Sequence, residues 1–244
     1  MGQQKLSRRD FLRHAGGAGI AASLVACGLG LQRLLTGSTM LTVYTFGDSI
    51  LDCGHYNQYG VHPGQLIVKN DDKLFPEFKG RDLASRGQAR LEHRATDGAT
   101  VSSLPRQTQG LKVEGNTVAI LTVGGNDLLQ GLVVDKGPGI AAFASALESF
   151  VKGLPIRPVL VGNVYDPSFG DDTNNFVGVD PEIARENHKR VNAAIAEVAS
   201  RYGKLVDLHA HFLRGDPSWY THTIEPSATG ASEVRRVFLE QLGL

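Results

Sequence analysis

The stretch NTVAILTV at residues 116–123 is the clearest strand signal in the chain. It is an almost continuous apolar run, which is typical of a central strand in a parallel sheet that is covered on both faces. Weaker strand signals lie at residues 42–46, 89–95, 158–162 and 204–208, and helical periodicity separates several of them, as over residues 139–154. This alternation predicts an α/β fold, a three-layer α/β/α sandwich of flavodoxin type with a central parallel sheet of about five strands.

The length and the charge of the chain limit the kinds of fold and function that it can have. Its 244 residues suffice for one domain of this type with a full core. The 25 basic residues balance the 25 acidic ones, so no net charge favours binding to nucleic acid.

The N-terminus predicts export. Ser-Arg-Arg-Asp-Phe-Leu at residues 7–12 resembles a twin-arginine export signal, and an apolar run rich in glycine and alanine follows over residues 15–26. That run is too short and too rich in glycine for a comfortable membrane span. We therefore predict a signal peptide over residues 1–26 and a periplasmic or cell-surface location.

Leu-Val-Ala-Cys at residues 24–27 resembles the lipobox of bacterial lipoproteins, in which Cys27 would carry the lipid. Lipidation predicts a membrane anchor, a tether over residues 27–39 and a folded domain over residues 40–244. It would also leave Cys53 without a disulfide partner, and we interpret Cys53 as a small buried packing residue.

Three residues with catalytic potential each follow a predicted strand. Ser49 follows residues 42–46 in the turn Gly47-Asp48-Ser49, Gly98 follows the second strand, and Asn126 follows the central strand. Because the carboxyl ends of parallel strands meet at one edge of the sheet, we expect these three residues to lie together. Each alone also suits an ordinary turn or helix cap, so the signal is the combination.

That combination resembles the SGNH, or GDSL, hydrolase family over the whole chain after the signal. The segments that match are Gly47-Asp48-Ser49, Gly98 and Gly124-Gly125-Asn126-Asp127. The resemblance implies that Ser49 attacks an ester carbonyl. It also implies that the amides of Ser49 and Gly98, together with the Asn126 side chain, hold the oxyanion, as acyl transfer requires. No metal or cofactor is expected.

The last segment departs from the family's Asp-x-x-His. Here the stretch is His222-Thr-Ile-Glu225-Pro, so the histidine and the carboxylate stand in the opposite order. Three interpretations remain open: His222 is the base and Glu225 orients it, or Glu225 contacts Ser49 and is itself the base, or hydrolysis has been lost. Imidazole has the more suitable ordinary pKa, whereas a carboxylate needs burial to raise its own.

Other polar residues carry weaker expectations. His55, Tyr56, Asn57 and His62 lie in the long irregular segment after Ser49 and can line a pocket mouth. His209 and His211 are too few for a metal site and are expected to be structural. The predicted function is hydrolysis of carboxylic esters, for example O-acylated glycans or lipids of the cell envelope. An O-acyltransferase that uses the same site, or an envelope protein that binds an acylated glycan without catalysis, is the alternative.

Overall fold

The computed structural model describes residues 40–174 and 176–244, and it confirms the predicted α/β fold. Five parallel strands form the central sheet in the order β2–β1–β3–β4–β5. The strands are β1 (Leu41–Gly47), β2 (Ala89–His93), β3 (Asn116–Thr122), β4 (Val159–Gly162) and β5 (Lys204–Val206). The predicted signal peptide, Cys27 and the tether lie outside the described residues.

Helices connect the strands, and a small hairpin precedes the last helix. The α-helices are α1 (Pro63–Val68), α2 (Leu104–Gln107), α3 (Gly125–Leu129), α4 (Pro138–Gly153), α5 (Pro181–Tyr202), α6 (Leu208–Phe212) and α7 (Ala228–Leu242). The hairpin strands are β6 (Tyr220–Thr221) and β7 (Glu225–Pro226), and 3-10 turns occur at Gly54–Tyr56, Pro76–Phe78, Val101–Ser103, Leu132–Val134, Asp172–Asn174 and Pro217–Trp219. No helix of the described residues is long and apolar enough to cross a membrane.

Successive residues of each central strand face opposite sides of the sheet and feed two separate cores. Val43 packs on the side covered by α1, α6 and α7, whereas its neighbour Tyr44 packs on the side covered by α4 and α5. Both faces of β1 and β3 are therefore buried, which explains why their sequences are almost continuously apolar.

Two elements differ from the sequence prediction. Helix α1 was not predicted; Pro63 begins it, and the Gln65 side chain accepts a hydrogen bond from the His62 amide at its start. The last strand ends at Val206 instead of residue 208, because Asp207 caps α6 by accepting a hydrogen bond from the Ala210 amide.

The end of β1 approaches β3 so closely that only glycine fits there. Gly47 pairs with Thr122, has a φ of +120°, and a Cβ built on it would overlap the Thr122 carbonyl oxygen. A side chain at position 47 would therefore push apart the two central strands at the point where the Ser49 turn begins.

We predict that Gly47→Ala lowers the free energy of unfolding by about 2–4 kcal/mol, because it adds overlap with backbone to an unfavourable φ. Gly80→Ala is the matched control: Gly80 also has a positive φ, +73°, but a Cβ there meets no atom within 4 Å. That control should cost only about 1 kcal/mol. Urea unfolding of both variants measures the difference, and equal losses would contradict the role assigned to the strand contact.

Candidate active site

Hydrogen bonds from two other segments fix the turn that carries Ser49. The Gln107 side chain accepts from the Gly47 amide at 2.7 Å and donates to the Gly47 carbonyl at 2.8 Å. The Asp48 carboxyl accepts from the Thr122 hydroxyl at 2.8 Å and from the Ile50 amide at 3.2 Å. Ser49 itself is 8% exposed and therefore sits at the carboxyl end of β1 in a held position.

Burial makes Asp48 a proton-binding group near neutral pH. Asp48 is 1% exposed. Desolvation raises the pKa of its carboxyl from an ordinary value of 3.8 to about 7, although the hydrogen bonds from Thr122 and Ile50 act to lower this pKa. The charge of Glu225 adds a smaller upward effect on the same pKa.

The three donors assigned to the oxyanion in the sequence analysis are the backbone amides of Ser49 and Gly98 and the Asn126 side chain. In the described part of the chain, no hydrogen bond engages the backbone amide of Ser49 or that of Gly98. Gly98 has a φ of +74°, a conformation that favours glycine. The Asn126 side-chain amide donates to the Ala99 carbonyl at 3.1 Å, which holds it beside the Gly98 turn and leaves its second N–H available.

The hairpin β6–β7 determines which residue of the last segment reaches Ser49. Thr221 pairs with Glu225, so the intervening residues form a tight loop in which His222 and Thr223 have positive φ values of 47° and 73°. The Tyr165 hydroxyl donates to the Ile224 carbonyl at 2.7 Å and holds this loop against the domain. His222 therefore lies at the tip of the loop, and Glu225 lies at its base.

Glu225 is the residue of this segment that lies beside Ser49. It is 9% exposed and lines the same pocket as Ser49. Burial raises the pKa of Glu225 above its ordinary value, and the nearby Ser49 hydroxyl opposes this shift. The Oε2 atom is buried and makes no hydrogen bond with the described residues, so it can accept one from a substrate or a water.

His222 is exposed and is not among the residues that line the pocket with Ser49. Its ring packs against Tyr56 at 5.4 Å between centroids, and its Nδ1 lies 3.4 Å from the Thr221 hydroxyl. Its effect on Glu225 is electrostatic, since its charge lowers the pKa of that carboxyl. The structure thus brings together Ser49, Glu225 and Asn126 in one pocket, and it places His222 on the exposed surface beside Tyr56.

A cluster on this surface, which we call the rim cluster, consists of His55, Tyr56, Asp97 and His222. The Asp97 carboxyl accepts from the Tyr56 hydroxyl at 2.6 Å and from His55 Nε2 at 3.2 Å. The expectation that His55 and Tyr56 lie near the mouth of the site agrees with this placement. The rim cluster also acts on Glu225, because Asp97 raises the pKa of Glu225 while His55 lowers it.

A pocket of about 160 Å³ has Ser49, Asn126 and Glu225 among its lining residues. It lies between α3 and the first turns of α5. Much of its remaining wall is apolar, formed by Leu128, Val133, Val164, Tyr165, Ala184 and Ile224.

Three other histidines have structural partners. The Nε2 atom of His188 lies 2.9 Å from the Val164 carbonyl oxygen, and its ring lies 5.0 Å from that of His209. His211 is hydrogen-bonded to Glu233 at 2.8 Å, as expected of a structural residue. No group of three or more potential metal ligands occurs within residues 40–174 and 176–244.

Sequence patterns gave no sign of several residues that position the site. Nothing in the local sequence marks these residues, Gln107, Thr122 and Tyr165, because each lies far along the chain from the group that it holds.

Cys53 was expected to be a packing residue, and its complete burial in the core confirms this.

The order of the parallel sheet and the helices on its two faces define a three-layer α/β/α fold. The sequence profile of the GDSL-like Lipase/Acylhydrolase family matches residues 45–232, so the chain belongs to that family. Membership of this family supports hydrolysis of acyl esters as the general activity. A search of curated proteins gives no match.

Several solved structures share this fold. The acetylxylan esterase Axe2 from Geobacillus stearothermophilus is 17% identical, with a TM-score of 0.61 over 86% of this chain and 97% of its own. LAE5, an α/β hydrolase enzyme from the metagenome of Lake Arreo, is 20% identical, with a TM-score of 0.57 over 84% and 95%. A lipolytic G-D-S-L family member from Veillonella parvula is 18% identical, with a TM-score of 0.57 over 82% and 97%.

We predict that Asp48 makes the protein less stable as the pH rises from 4 to 8. With its pKa raised to about 7, the folded state binds more protons than the unfolded state over this range, so the free energy of unfolding falls with rising pH. Asp48→Asn keeps an acceptor for Thr122 and removes the titration. Relative to this variant, the wild type should lose about 2–4 kcal/mol between pH 4 and pH 8 in urea unfolding. Parallel pH profiles would contradict the burial argument.

Proposed function

We propose that the protein hydrolyses carboxylic esters through an acyl-enzyme on Ser49, with Glu225 as the general base. The observation that carries the proposal is that Ser49 and the buried Glu225 carboxyl line one pocket, where burial raises the pKa of that carboxyl. A carboxylate of ordinary pKa is a weak base toward a serine hydroxyl, and a raised pKa makes it a better one.

In the first half of the reaction, Glu225 takes the proton of Ser49 as Oγ bonds to the ester carbonyl carbon. The negative charge that develops on the carbonyl oxygen is held by the amides of Ser49 and Gly98 and by Asn126 Nδ2. The protonated Glu225 then gives its proton to the leaving alcohol as the carbon–oxygen bond breaks. In the second half, Glu225 deprotonates a water that attacks the acyl-enzyme, and Ser49 recovers its proton.

Under this proposal His222 acts through its charge and not as the proton acceptor. His222 is exposed, its ring packs against Tyr56, and it does not line the pocket that Ser49 and Glu225 share. The geometry therefore supports Glu225 over His222.

We further propose that the protein is exported and anchored, with the signal over residues 1–26 and the lipid on Cys27. An anchored esterase meets the O-acyl groups of envelope glycans and lipids. Axe2, which shares the fold, is named for acetylated xylan, and this makes acyl esters of sugars a class of substrate to assay beside simple esters.

The test is labelling of the full-length protein with a fluorophosphonate serine probe, together with ester hydrolysis. We predict that Ser49→Ala abolishes both, and that Glu225→Gln lowers kcat/KM by about 10²- to 10⁴-fold. His222→Gln, the matched change at the rim, should change it by less than about tenfold. Wild-type kcat/KM should rise with pH through an inflection above 4.5, because only the ionised Glu225 accepts the proton.

The variants separate the alternatives. A large loss in His222→Gln with little loss in Glu225→Gln would establish His222 as the base and overturn our assignment. If the folded wild type neither reacts with the probe nor hydrolyses any ester, the protein is a binding protein. If it turns over esters only when a sugar alcohol is present as acceptor, it is an acyltransferase.

A further inference from the structure

The pocket beside Ser49 is larger than the smallest acyl groups need. Its volume is about 160 Å³. For comparison, a dry cavity of roughly 150 Å³ lined by aliphatic and aromatic side chains holds a benzene molecule, which has six carbons. An acetyl group would leave most of this space to water in contact with an apolar wall.

The wall that a ligand would meet is apolar over most of its length. Val164, Leu128 and Val133 are at least 90% buried and form the inner part. Leu129 and Phe176 line the outer part and are 42% and 43% exposed, so apolar surface continues to the mouth of the pocket. Exposed apolar side chains next to an apolar pocket mark a ligand-binding groove more often than an ordinary surface.

The charged groups of the lining other than Glu225 already have partners in the protein. The Asp166 carboxyl accepts hydroxyl and backbone hydrogen bonds from its own loop. His188 is bonded to the Val164 carbonyl, and Arg185 is paired with Asp172 at the exposed edge. These pairs leave the apolar wall as the main surface for a ligand, which argues against a sugar or another strongly polar group inside the pocket.

The alcohol and the acyl group of an ester require different positions at this site. The alcohol must depart after it takes a proton from Glu225, so it belongs on the exposed side of the site, which is the rim cluster. The acyl group stays bonded to Ser49 while water attacks, so it needs a place that holds it next to Asn126. The pocket begins at Ser49 and Asn126 and meets that need.

We propose that this pocket binds the acyl chain and that the enzyme prefers acyl groups of about four to eight carbons over acetyl. This inference rests on the proposed function and names the class of ester that it acts on. Each methylene transferred from water to the wall is worth a factor of about four in binding, so selectivity should grow with chain length until the pocket is full.

The first test is a series of p-nitrophenyl esters from acetate to octanoate with the full-length protein. We expect kcat/KM to rise about fourfold per added methylene up to about six carbons and then to level off, because longer chains protrude past Leu129. Ala184→Phe, on α5 in the pocket wall, should lower the ratio of hexanoate to acetate activity by tenfold or more. Ala141→Phe is the control, since Ala141 is an exposed alanine on α4 outside the pocket.

A second series of esters keeps acetate as the acyl group and varies the chain length of the alcohol. In this series kcat/KM should show no comparable gain with chain length. A gain that follows the alcohol, or wild-type activity that is highest on acetate and falls toward hexanoate, would overturn the proposal while leaving ester hydrolysis intact.

Binding without turnover separates this inference from the proposed function. Calorimetric titration of Ser49→Ala with acetate, butyrate, hexanoate and octanoate should give dissociation constants that fall with chain length, and Ala184→Phe added to that variant should remove the trend. If no ester is hydrolysed but this trend is found, the proposed function fails and the acyl pocket stands. If the dissociation constants do not depend on chain length, the acyl pocket is excluded.

Discussion

The hydrogen bond from the Thr122 hydroxyl to the buried Asp48 carboxyl joins the two central strands at the point where the site begins. Asp48 immediately precedes Ser49, and Thr122 immediately precedes the segment that leads to Asn126. One bond therefore helps to set the spacing between Ser49 and Asn126, which line the same pocket. The Gln107 side chain adds a second constraint from the opposite side of the turn, by holding both backbone groups of Gly47. Such positioning on rigid strand ends is what a preorganised site requires.

The β6–β7 hairpin before α7 positions Glu225, the other part of the site, through backbone pairing and the conformation of its loop. A short antiparallel ladder at Thr221 and Glu225 and a loop with two left-handed residues decide which side chain faces inward. Non-glycine residues with positive φ are unfavourable, so the surroundings must hold them, and the bond from Tyr165 to the loop contributes to this. The strain is placed next to the candidate base, where the orientation of one carboxyl matters most.

The sequence allowed the fold and half of the site to be predicted, for reasons that differ from residue to residue. Continuous apolar runs at residues 116–123 and 158–162 predict buried parallel strands because both of their faces are covered. The placement of Ser49, Gly98 and Asn126 follows from the topology, since parallel strands end at one edge. Helix α1 was missed because it has only six residues, too few for helical periodicity to show. The relative positions of His222 and Glu225 depend on the φ angles of a loop, and the spacing of residues in the sequence does not reveal those angles.

The proposed acyl pocket and the proposed carboxylate base depend on the same property of the site, its exclusion of water. Burial raises the pKa of Glu225 and makes it a stronger proton acceptor when ionised, but burial also disfavours the ionised form. An acyl chain that fills the pocket removes further water, which strengthens the interaction of the oxyanion with its donors. A short acyl group leaves water beside Glu225 and weakens both effects. Chain length would therefore act on the chemical step as well as on binding, because the substrate itself completes the low-dielectric surroundings in which a carboxylate can serve as the base.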